Sequence, residues 1–325
     1  MLLKKRIIIL FIGVVFFLTG CFNDYSKESS VVKVIAKTIN EDLLLLEESI
    51  EKNGKAFEGL EDIFLTKEEL LKISEQYEKT LYGLYYNQNT IHSSGILTGY
   101  KYTNSDLKNR LFKTERLENI LIEAYNNHAI IDQAYYIEGS GLLRIYPSIR
   151  VTDNLFPKTN FFESSYFEQL ENNNNDVLKW FTVPFLNSSG RNWGISLFNP
   201  IYRDGIFQGV LGYDIVTSNF ETHYLEKDML LINRAGDIIS IDPSLYQVLN
   251  IDERENDIYY EIIMDGKLST KDFNLNTSKT KSIRELYLKV INDTSDFTLE
   301  LEKDYFVISE KIEVIDGYLI KLIAK

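Results

Sequence analysis

The chain has 325 residues, and its formal net charge of −13 makes it a poor candidate for binding nucleic acid, whose phosphates it would repel. A hydrophobic content of 44% with 13% aromatic residues is typical of a globular protein, and the length is sufficient for two modest domains. The single cysteine excludes an intramolecular disulfide, so the fold has to rest on its core.

The first 21 residues have the pattern of an export segment. Residues 4–6 are cationic, and the apolar run Ile7 to Leu18 is shorter than the roughly 20 residues of a membrane-spanning helix. Residues 18–21, Leu-Thr-Gly-Cys, resemble the lipobox of bacterial lipoproteins. This resemblance implies that residues 1–20 are a signal peptide and that a lipid on Cys21 holds the chain at the extracytoplasmic face of the cell membrane. An ordinary signal peptide or a membrane anchor that happens to contain a cysteine is the alternative.

A short polar tether over residues 21–30 precedes a predicted long N-terminal helix over residues 31–60. Asn53-Gly54 is a plausible end for the helix itself. Its apolar stripe fits either a helix docked on its own domain or a dimer seam. The stripe repeats at steps of three and four residues, through Val32, Ile35, Ile39, Leu43, Leu46 and Ile50.

Two further helices are expected before the first strand. One begins after Thr66, where Glu69 completes a capping box, and its inward face holds Leu70, Ile73, Tyr77 and Leu81. The other runs from Ser105 to Asn127, with Leu107, Leu111, Leu117, Leu121 and Tyr125 facing inward. The Asn-, Ser- and Gly-rich segment between them, residues 85–102, is predicted to be a loop.

Strands follow in four hairpins. The first pair is 130–138 with 142–146 and 193–203 with 206–216; the second pair is 230–233 with 238–241 and 305–313 with 318–324. Each half of the chain is thus hairpin, insertion, hairpin. The insertion at 147–192 is predicted to be a long loop with a functional role, and the one at 243–304 to contain a helix over 282–291. The expected fold class is α+β, with two antiparallel modules after a long helix.

Three segments resemble double Cache sensor domains, whose modules are PAS-like. Residues 193–215 contain the aromatic strand, the Pro-Ile-Tyr corner, the Asp-Gly turn and the Gly-Val-Leu-Gly-Tyr-Asp strand. Residues 180–185, Trp-Phe-Thr-Val-Pro-Phe, and residues 230–240 are similar to flanking segments of that family. The resemblance implies a membrane-distal, ligand-binding module over residues 61–222 and a membrane-proximal module over 223–325.

The same resemblance implies a sensor function. Double Cache domains bind small molecules outside the cytoplasm, usually between two transmembrane helices of a receptor. No second apolar segment or output region follows Lys325, so the expectation is a lipid-anchored sensor that signals through a separate membrane protein. The long helix is the expected contact with that partner.

Asp214 is the principal candidate for ligand binding, because relatives use the matching aspartate to pair with the ammonium group of an amino acid. Tyr166 and Phe167 match an aromatic pair of those relatives. Their arginine is replaced by Ser164, and Phe185 stands where a tyrosine is expected. Both changes argue against ordinary α-amino acids.

Other side chains could complete such a site. Arg144 or Arg191 could supply a displaced cation, although Arg191 fits a solvated surface position better. Aromatic side chains are more often core than pocket, but they could also line a pocket: Tyr135, Trp180, Trp193 and Tyr202. An aspartate among aromatic rings favours an amine or an amino-acid-like metabolite as the ligand.

Catalysis is not expected, and no cofactor or metal is implied. The three histidines, His92, His128 and His223, are far apart in sequence, and no serine-nucleophile or phosphate-loop motif occurs. The alternative function is that of a solute-binding lipoprotein that feeds a transporter, but such proteins usually have parallel sheets with crossover helices.

Overall fold

The computed structural model describes residues 25–81, 83–87, 92–99, 104–151, 158, 178–186, 193–251, 273–292, 296–301 and 304–325. The export segment, Cys21 and most of the 147–192 insertion lie outside these ranges. The described part contains seven α-helices, two short 3-10 helices and thirteen strands. None of the described helices has a stretch long and apolar enough to cross a membrane.

The chain begins with a long helix, α1 (Ser26–Glu58), which at 33 residues is about 50 Å long. It starts five residues before the predicted position, within the expected tether. Two contacts account for this early start: Tyr25 stacks on Phe306 with ring centroids 3.9 Å apart, and Glu28 forms an ion pair with Lys321 at 2.6 Å. The carboxylate of Glu28 also lies in the first turn, where the helix dipole favours negative charge.

The predicted end of α1 at Gly54 is wrong, because the helix continues to Glu58. Gly54 is buried where the helix crosses a strand, and a Cβ there would come within 2.1 Å of Nδ2 of Asn199. The same Nδ2 donates to the carbonyl oxygen of Ile50 at 3.1 Å. The glycine therefore marks a close approach between helix and sheet, not a helix stop.

The buried stripe of α1 packs against its own chain. Its N-terminal half contacts a five-stranded sheet, where Oδ1 of Asn40 accepts a hydrogen bond from the backbone N–H of Val314 at 3.2 Å. Its C-terminal half contacts an eight-stranded sheet, where Nδ2 of Asn53 donates to the hydroxyl of Tyr213 at 2.8 Å. Docking within one chain therefore accounts for the stripe, with Ile35 only partly buried.

All strands of the eight-stranded sheet pair antiparallel, in the order β1-β2-β3-β5-β4-β8-β7-β6. Its strands are β1 (Glu78–Lys79), β2 (Tyr85–Tyr86), β3 (Ser94–Leu97), β4 (Gln133–Glu138), β5 (Leu142–Tyr146), β6 (Lys179–Leu186), β7 (Trp193–Arg203) and β8 (Ile206–Val216). The predicted bounds of β7 and β8 are confirmed. Their two-residue turn has Asp204 at φ 52° and Gly205 at φ 75°, the left-handed pair that a tight hairpin needs.

Two predicted loops contain strands of this sheet. β2 and β3 lie in the segment expected to be irregular, and β6 lies in the 147–192 insertion. The small residues that suggested a loop serve close packing: a Cβ at Gly95 would come within 2.3 Å of the Tyr77 hydroxyl and 2.6 Å of the Arg144 guanidinium. Composition therefore misled the prediction here.

Three helices connect α1 to the first hairpin: α2 (Lys67–Ser74), α3 (Ser105–Lys113) and α4 (Glu118–Asn127). The Thr66–Glu69 capping box is confirmed. However, α2 ends at Ser74, so Tyr77 and Leu81 are not on it and Leu81 is fully exposed.

The predicted single helix over 105–127 is interrupted by a 3-10 turn, Thr114–Leu117. The hydroxyl of Thr114 donates to the carbonyl of Leu111 at 2.6 Å and competes with the regular helical bonds.

The five-stranded sheet has the order β10-β9-β13-β12-β11 and is also antiparallel. Its strands are β9 (Met229–Asn233), β10 (Ile238–Ile241), β11 (Asp296–Glu300), β12 (Asp304–Ile312) and β13 (Gly317–Ala324), accompanied by helices α5 (Thr217–His223), α6 (Leu245–Val248) and α7 (Lys281–Ile291). Both predicted hairpins and the predicted helix over 282–291 are confirmed, whereas β11 was not predicted. The α+β class with a long helix and two antiparallel sheets is confirmed.

The two sheets meet at their edge strands, β6 and β10. A polar contact joins them: Nδ2 of Asn233 donates to the carbonyl oxygen of Thr182 at 3.1 Å. Thr182 lies in an irregular part of β6, between its pairings at Phe181 and Phe185. Helix α1, this edge contact and helix α5, which contacts β7 and β8 of one sheet and β10 of the other, thus connect the two sheets.

Candidate functional site

The eight-stranded sheet has two buried faces that differ in what they pack against. Along β8, Leu211, Tyr213 and Ile215 belong to the core beneath α1, and we call this side the helix face. Residues at even positions of β8 point to the other side, because side chains alternate along a strand. Val210, on that side, belongs to a separate apolar cluster. We call this second side the Asp214 face.

Asp214 is 1% exposed, and two hydroxyl groups donate to its Oδ1. The Tyr135 hydroxyl does so at 2.6 Å, and the Ser196 hydroxyl makes a second short bond. Burial, and then the adjacent carboxylate, raise the pKa of Tyr135 well above its ordinary value, so this tyrosine stays a neutral donor. A buried carboxylate is costly unless donors or a cation stabilise it, and these hydroxyls supply part of that stabilisation.

Gln133 lies directly opposite Asp214 in the β4–β8 pairing, so the two side chains share a face. It is 5% exposed, and its Oε1 has no hydrogen-bond donor among the described residues. Buried polar atoms without a partner are rare in native proteins. The pair is therefore a carboxylate beside an unsatisfied amide oxygen, both acceptors.

Aromatic rings flank this polar pair. The ring of Phe198 makes edge contacts with Tyr135, at 6.4 Å between centroids, and with Phe181, at 5.0 Å. Gly212 provides the room for them, because a Cβ there would come within 2.4 Å of the Tyr135 ring and 3.0 Å of the Phe198 ring. The Asp214 face thus combines a negative charge, polar acceptors and aromatic surface.

Tyr135 and Asp214 are the predicted ligand residues that the structure brings together. Gln133, Ser196, Phe181 and Phe198 also belong to this cluster, and sequence reasoning did not single them out. The strand register could have identified them, because each lies on β4, β6 or β7 and its pairing puts its side chain on the same face as Asp214.

Arg144 does not lie beside Asp214. It is opposite Tyr136 in the β4–β5 hairpin, whereas Tyr135 is opposite Ile145, so Arg144 points to the helix face. It is 0% exposed, and protein groups surround its guanidinium. It donates to Thr114 Oγ1 at 2.9 Å, the Tyr77 hydroxyl at 2.8 Å, Ser93 Oγ at 3.2 Å and the Leu111 carbonyl at 3.2 Å, and Glu115 lies at 3.6 Å. We therefore leave Arg144 out of the proposed site.

The other predicted aromatic residues are also separated from Asp214. Trp180 points to the helix face, where its Nε1 donates to Glu47 of α1 at 2.8 Å. Trp193, at the first position of β7, is on the same side of the strand as Ile195 and Leu197, which belong to the helix face. Tyr202 lies at the far end of the β7–β8 hairpin, six positions or roughly 20 Å along the strand from Ser196, and packs against Phe207.

The remaining predicted residues cannot be placed. Tyr166, Phe167, Ser164 and Arg191 lie outside the described residues, and of Phe185 only the backbone pairing with Gly194 is described. Within the described ranges, no three histidine, cysteine, aspartate or glutamate side chains are grouped as a metal site would require.

No protein-family model matches the chain, and no curated protein is similar to it in sequence. Solved structures are similar in fold. The periplasmic sensory domain of the Campylobacter jejuni chemoreceptor Tlp1 has a TM-score of 0.51 at 12% identity, covering 91% of this chain and 93% of that one. The ligand-binding domain of the Pseudomonas aeruginosa PAO1 amino-acid chemoreceptor PctC, in complex with GABA, has a TM-score of 0.51 at 9% identity, covering 93% and 100%. At these identities the likeness concerns the fold alone.

Proposed function

Since this chain has the double Cache fold of bacterial chemoreceptor sensor domains, with its PAS-like antiparallel sheets behind one long helix, we propose that it is an extracytoplasmic small-molecule sensor. We assign residues 61–222 to a ligand-binding module and residues 223–325 to a second module. This division is supported by the sheets, because β1–β8 fall within the first range and β9–β13 within the second.

One observation carries the proposal: a buried carboxylate, Asp214, lies beside the unsatisfied amide oxygen of Gln133 among aromatic rings. A protonated amine fits this arrangement, because it offers a positive charge to Asp214, N–H donors to both acceptors and a cation to the ring faces. We therefore propose that the ligand is an amine or an amino-acid-like metabolite with an ammonium group. GABA, the molecule in the PctC structure, carries such a group.

We propose that a lipid on Cys21 anchors the protein. Cys21 stands five residues before α1, a link that spans at most about 17 Å. Because the first turn of α1 packs on the five-stranded sheet, this short link would place that sheet next to the membrane and the Asp214 face farther away. Replacing Cys21 with Ser should release the protein from the membrane fraction, and full retention of that variant would contradict lipid anchoring.

A lipid anchor does not carry a signal across the bilayer, so we propose that a separate membrane protein receives it. The exposed side of α1 is the surface that we propose for this contact, because it presents three large apolar side chains, Val34, Leu44 and Leu45. Transport of a solute is less well supported, since the sheets are antiparallel throughout and transporter-feeding proteins usually have parallel ones.

Titration calorimetry tests the ligand class. The full-length protein, purified in detergent, is titrated with panels of primary amines, amino acids and simple anions. We expect heat with ammonium-bearing compounds, and we expect Asp214→Asn to weaken the binding by at least about thirtyfold, because it removes the charge that meets the cation.

Asp237→Asn is the matched control. Asp237 is also buried, at 7% exposed, and in the turn between β9 and β10 it accepts hydrogen bonds from Asn233 at 2.9 Å and Asn274 at 2.7 Å. This variant should keep the wild-type affinity. Heat from anions alone, or equal losses in both variants, would contradict the proposal.

A further inference from the structure

Resting on the proposed function, we propose that Gln133 makes the site selective for primary ammonium groups and against quaternary ones. Asp214 attracts any cation, so charge alone does not distinguish an –NH3⁺ group from a trimethylammonium group. The neighbouring amide oxygen does distinguish them, because it requires an N–H donor.

The position of Gln133 follows from strand register. In the β4–β8 pair it is directly opposite Asp214, and directly opposite side chains have Cβ atoms about 4.5–5.5 Å apart on the same face. An ammonium nitrogen held by Asp214 is therefore within reach of the Gln133 side chain. On the other side of Asp214, Ser196 occupies the equivalent position in the β7–β8 pair.

Neither neighbouring hydroxyl is available to satisfy Gln133. A hydroxyl has one hydrogen, and the hydrogens of Tyr135 and Ser196 are both directed at Oδ1 of Asp214. With 5% exposure, Gln133 is also withdrawn from bulk water, and the described residues place no donor at its Oε1. The missing donor is what a ligand would supply.

A primary ammonium has three N–H donors, so it can bond the Asp214 carboxylate and the Gln133 oxygen together. A quaternary ammonium has none. It could still be attracted to Asp214 and to the rings of Tyr135 and Phe198, but it would cover the Gln133 oxygen without a hydrogen bond. Because this oxygen already lacks a donor without ligand, the difference between the two ligands is the hydrogen bond that only the primary amine forms, and a hydrogen bond involving a charged group corresponds to a preference of about tenfold or more.

The test uses matched ligand pairs that differ only in methylation of nitrogen: ethanolamine with choline, and tyramine and GABA each with its N-trimethyl analogue. Calorimetric titrations compare wild-type protein with Gln133→Met, a substitution of similar length that removes the acceptor. For the pairs that bind, we expect wild type to prefer the primary amine by about tenfold or more. We expect Gln133→Met to lose about tenfold in affinity for the primary amine and none for the quaternary one.

Gln208→Met is the control, because Gln208 lies on β8 six residues before Asp214, and the bond that its side chain makes among the described residues is local, to the carbonyl of Ile206 at 3.1 Å. It should leave the preference unchanged. Without ligand, Gln133→Met should melt no lower than this control, since it removes an acceptor that has no donor among the described residues.

The outcomes separate the inference from the proposed function. Quaternary amines that bind wild type as tightly as primary ones, or an unchanged preference in Gln133→Met, would overturn the role of Gln133. Loss of binding in Asp214→Asn would then still support amine sensing. If no member of any pair binds, the amine ligand class and the role of Gln133 both fail.

Discussion

Two buried charged side chains, Arg144 and Asp214, lie on opposite faces of one sheet and differ in how the protein surrounds them. Arg144, on the helix face, donates to three hydroxyl groups and a carbonyl and lies 3.6 Å from a carboxylate. On the other face, Asp214 adjoins Gln133, whose oxygen lacks a donor among the described residues. The contacts of Arg144 tie its charge into the fold, whereas the unsatisfied acceptor beside Asp214 is suited to a ligand.

The largest effect that this comparison predicts is on stability. Arg144→Met should lower the free energy of unfolding by about 3–5 kcal/mol, because it removes the cation beside the partly buried Glu115 carboxylate together with four buried hydrogen bonds. Urea denaturation measures the loss. Arg116→Met is the control, since Arg116 pairs with Glu69 at the surface and is 52% exposed; its stability should change little. Equal stability of the two variants would contradict a structural role for Arg144.

A smaller effect is expected on the Asp214 face. Gly212→Ala should cost about 1–3 kcal/mol of stability and weaken amine binding, because the added methyl overlaps the Tyr135 ring that bonds Asp214. Gly59→Ala is the matched control. Gly59 has φ −81°, and the nearest atom to an added Cβ lies 3.6 Å away. Thermal unfolding and the calorimetric assay would follow both variants. Wild-type binding by Gly212→Ala would contradict the ring packing that we assign to the site.

Local sequence signals determined much of the fold. The Asp204-Gly205 turn and the alternating residues on either side predict β7 and β8 at their observed bounds, because a two-residue turn with positive φ fixes a hairpin. The Thr66–Glu69 capping box likewise predicts where α2 begins. Features set by tertiary contact were missed. Gly54 allows β7 to pass close to the helix and does not end it, and this contact is not visible in the local sequence.

The candidate site was only partly predictable, since it depends on which face each side chain occupies. The Gly139–Gly141 turn pairs Glu138 with Leu142, and this register puts Tyr135 and Arg144 on opposite faces. The predicted hairpin already ends one strand at Glu138 and begins the next at Leu142. This register, which separates Tyr135 from Arg144, was therefore deducible from the sequence, although the predicted site grouped the two residues.

The position of Ser196 could not have been deduced in the same way. Counting back from the Asp-Gly turn would place Ile195 opposite Asp214. A β-bulge between Ile201 and Tyr202 shifts the register by one residue and brings Ser196 there instead. A shift of one residue exchanges the two faces of a strand, and no local signal in the sequence marked the bulge.

A crystal structure of the protein grown with a primary amine that binds it would test the central claim most directly. We predict that the ammonium nitrogen lies on the Asp214 face, about 2.7–3.2 Å from both the carboxylate of Asp214 and Oε1 of Gln133. An amine bound on the helix face, or away from this pair of acceptors, would contradict the account.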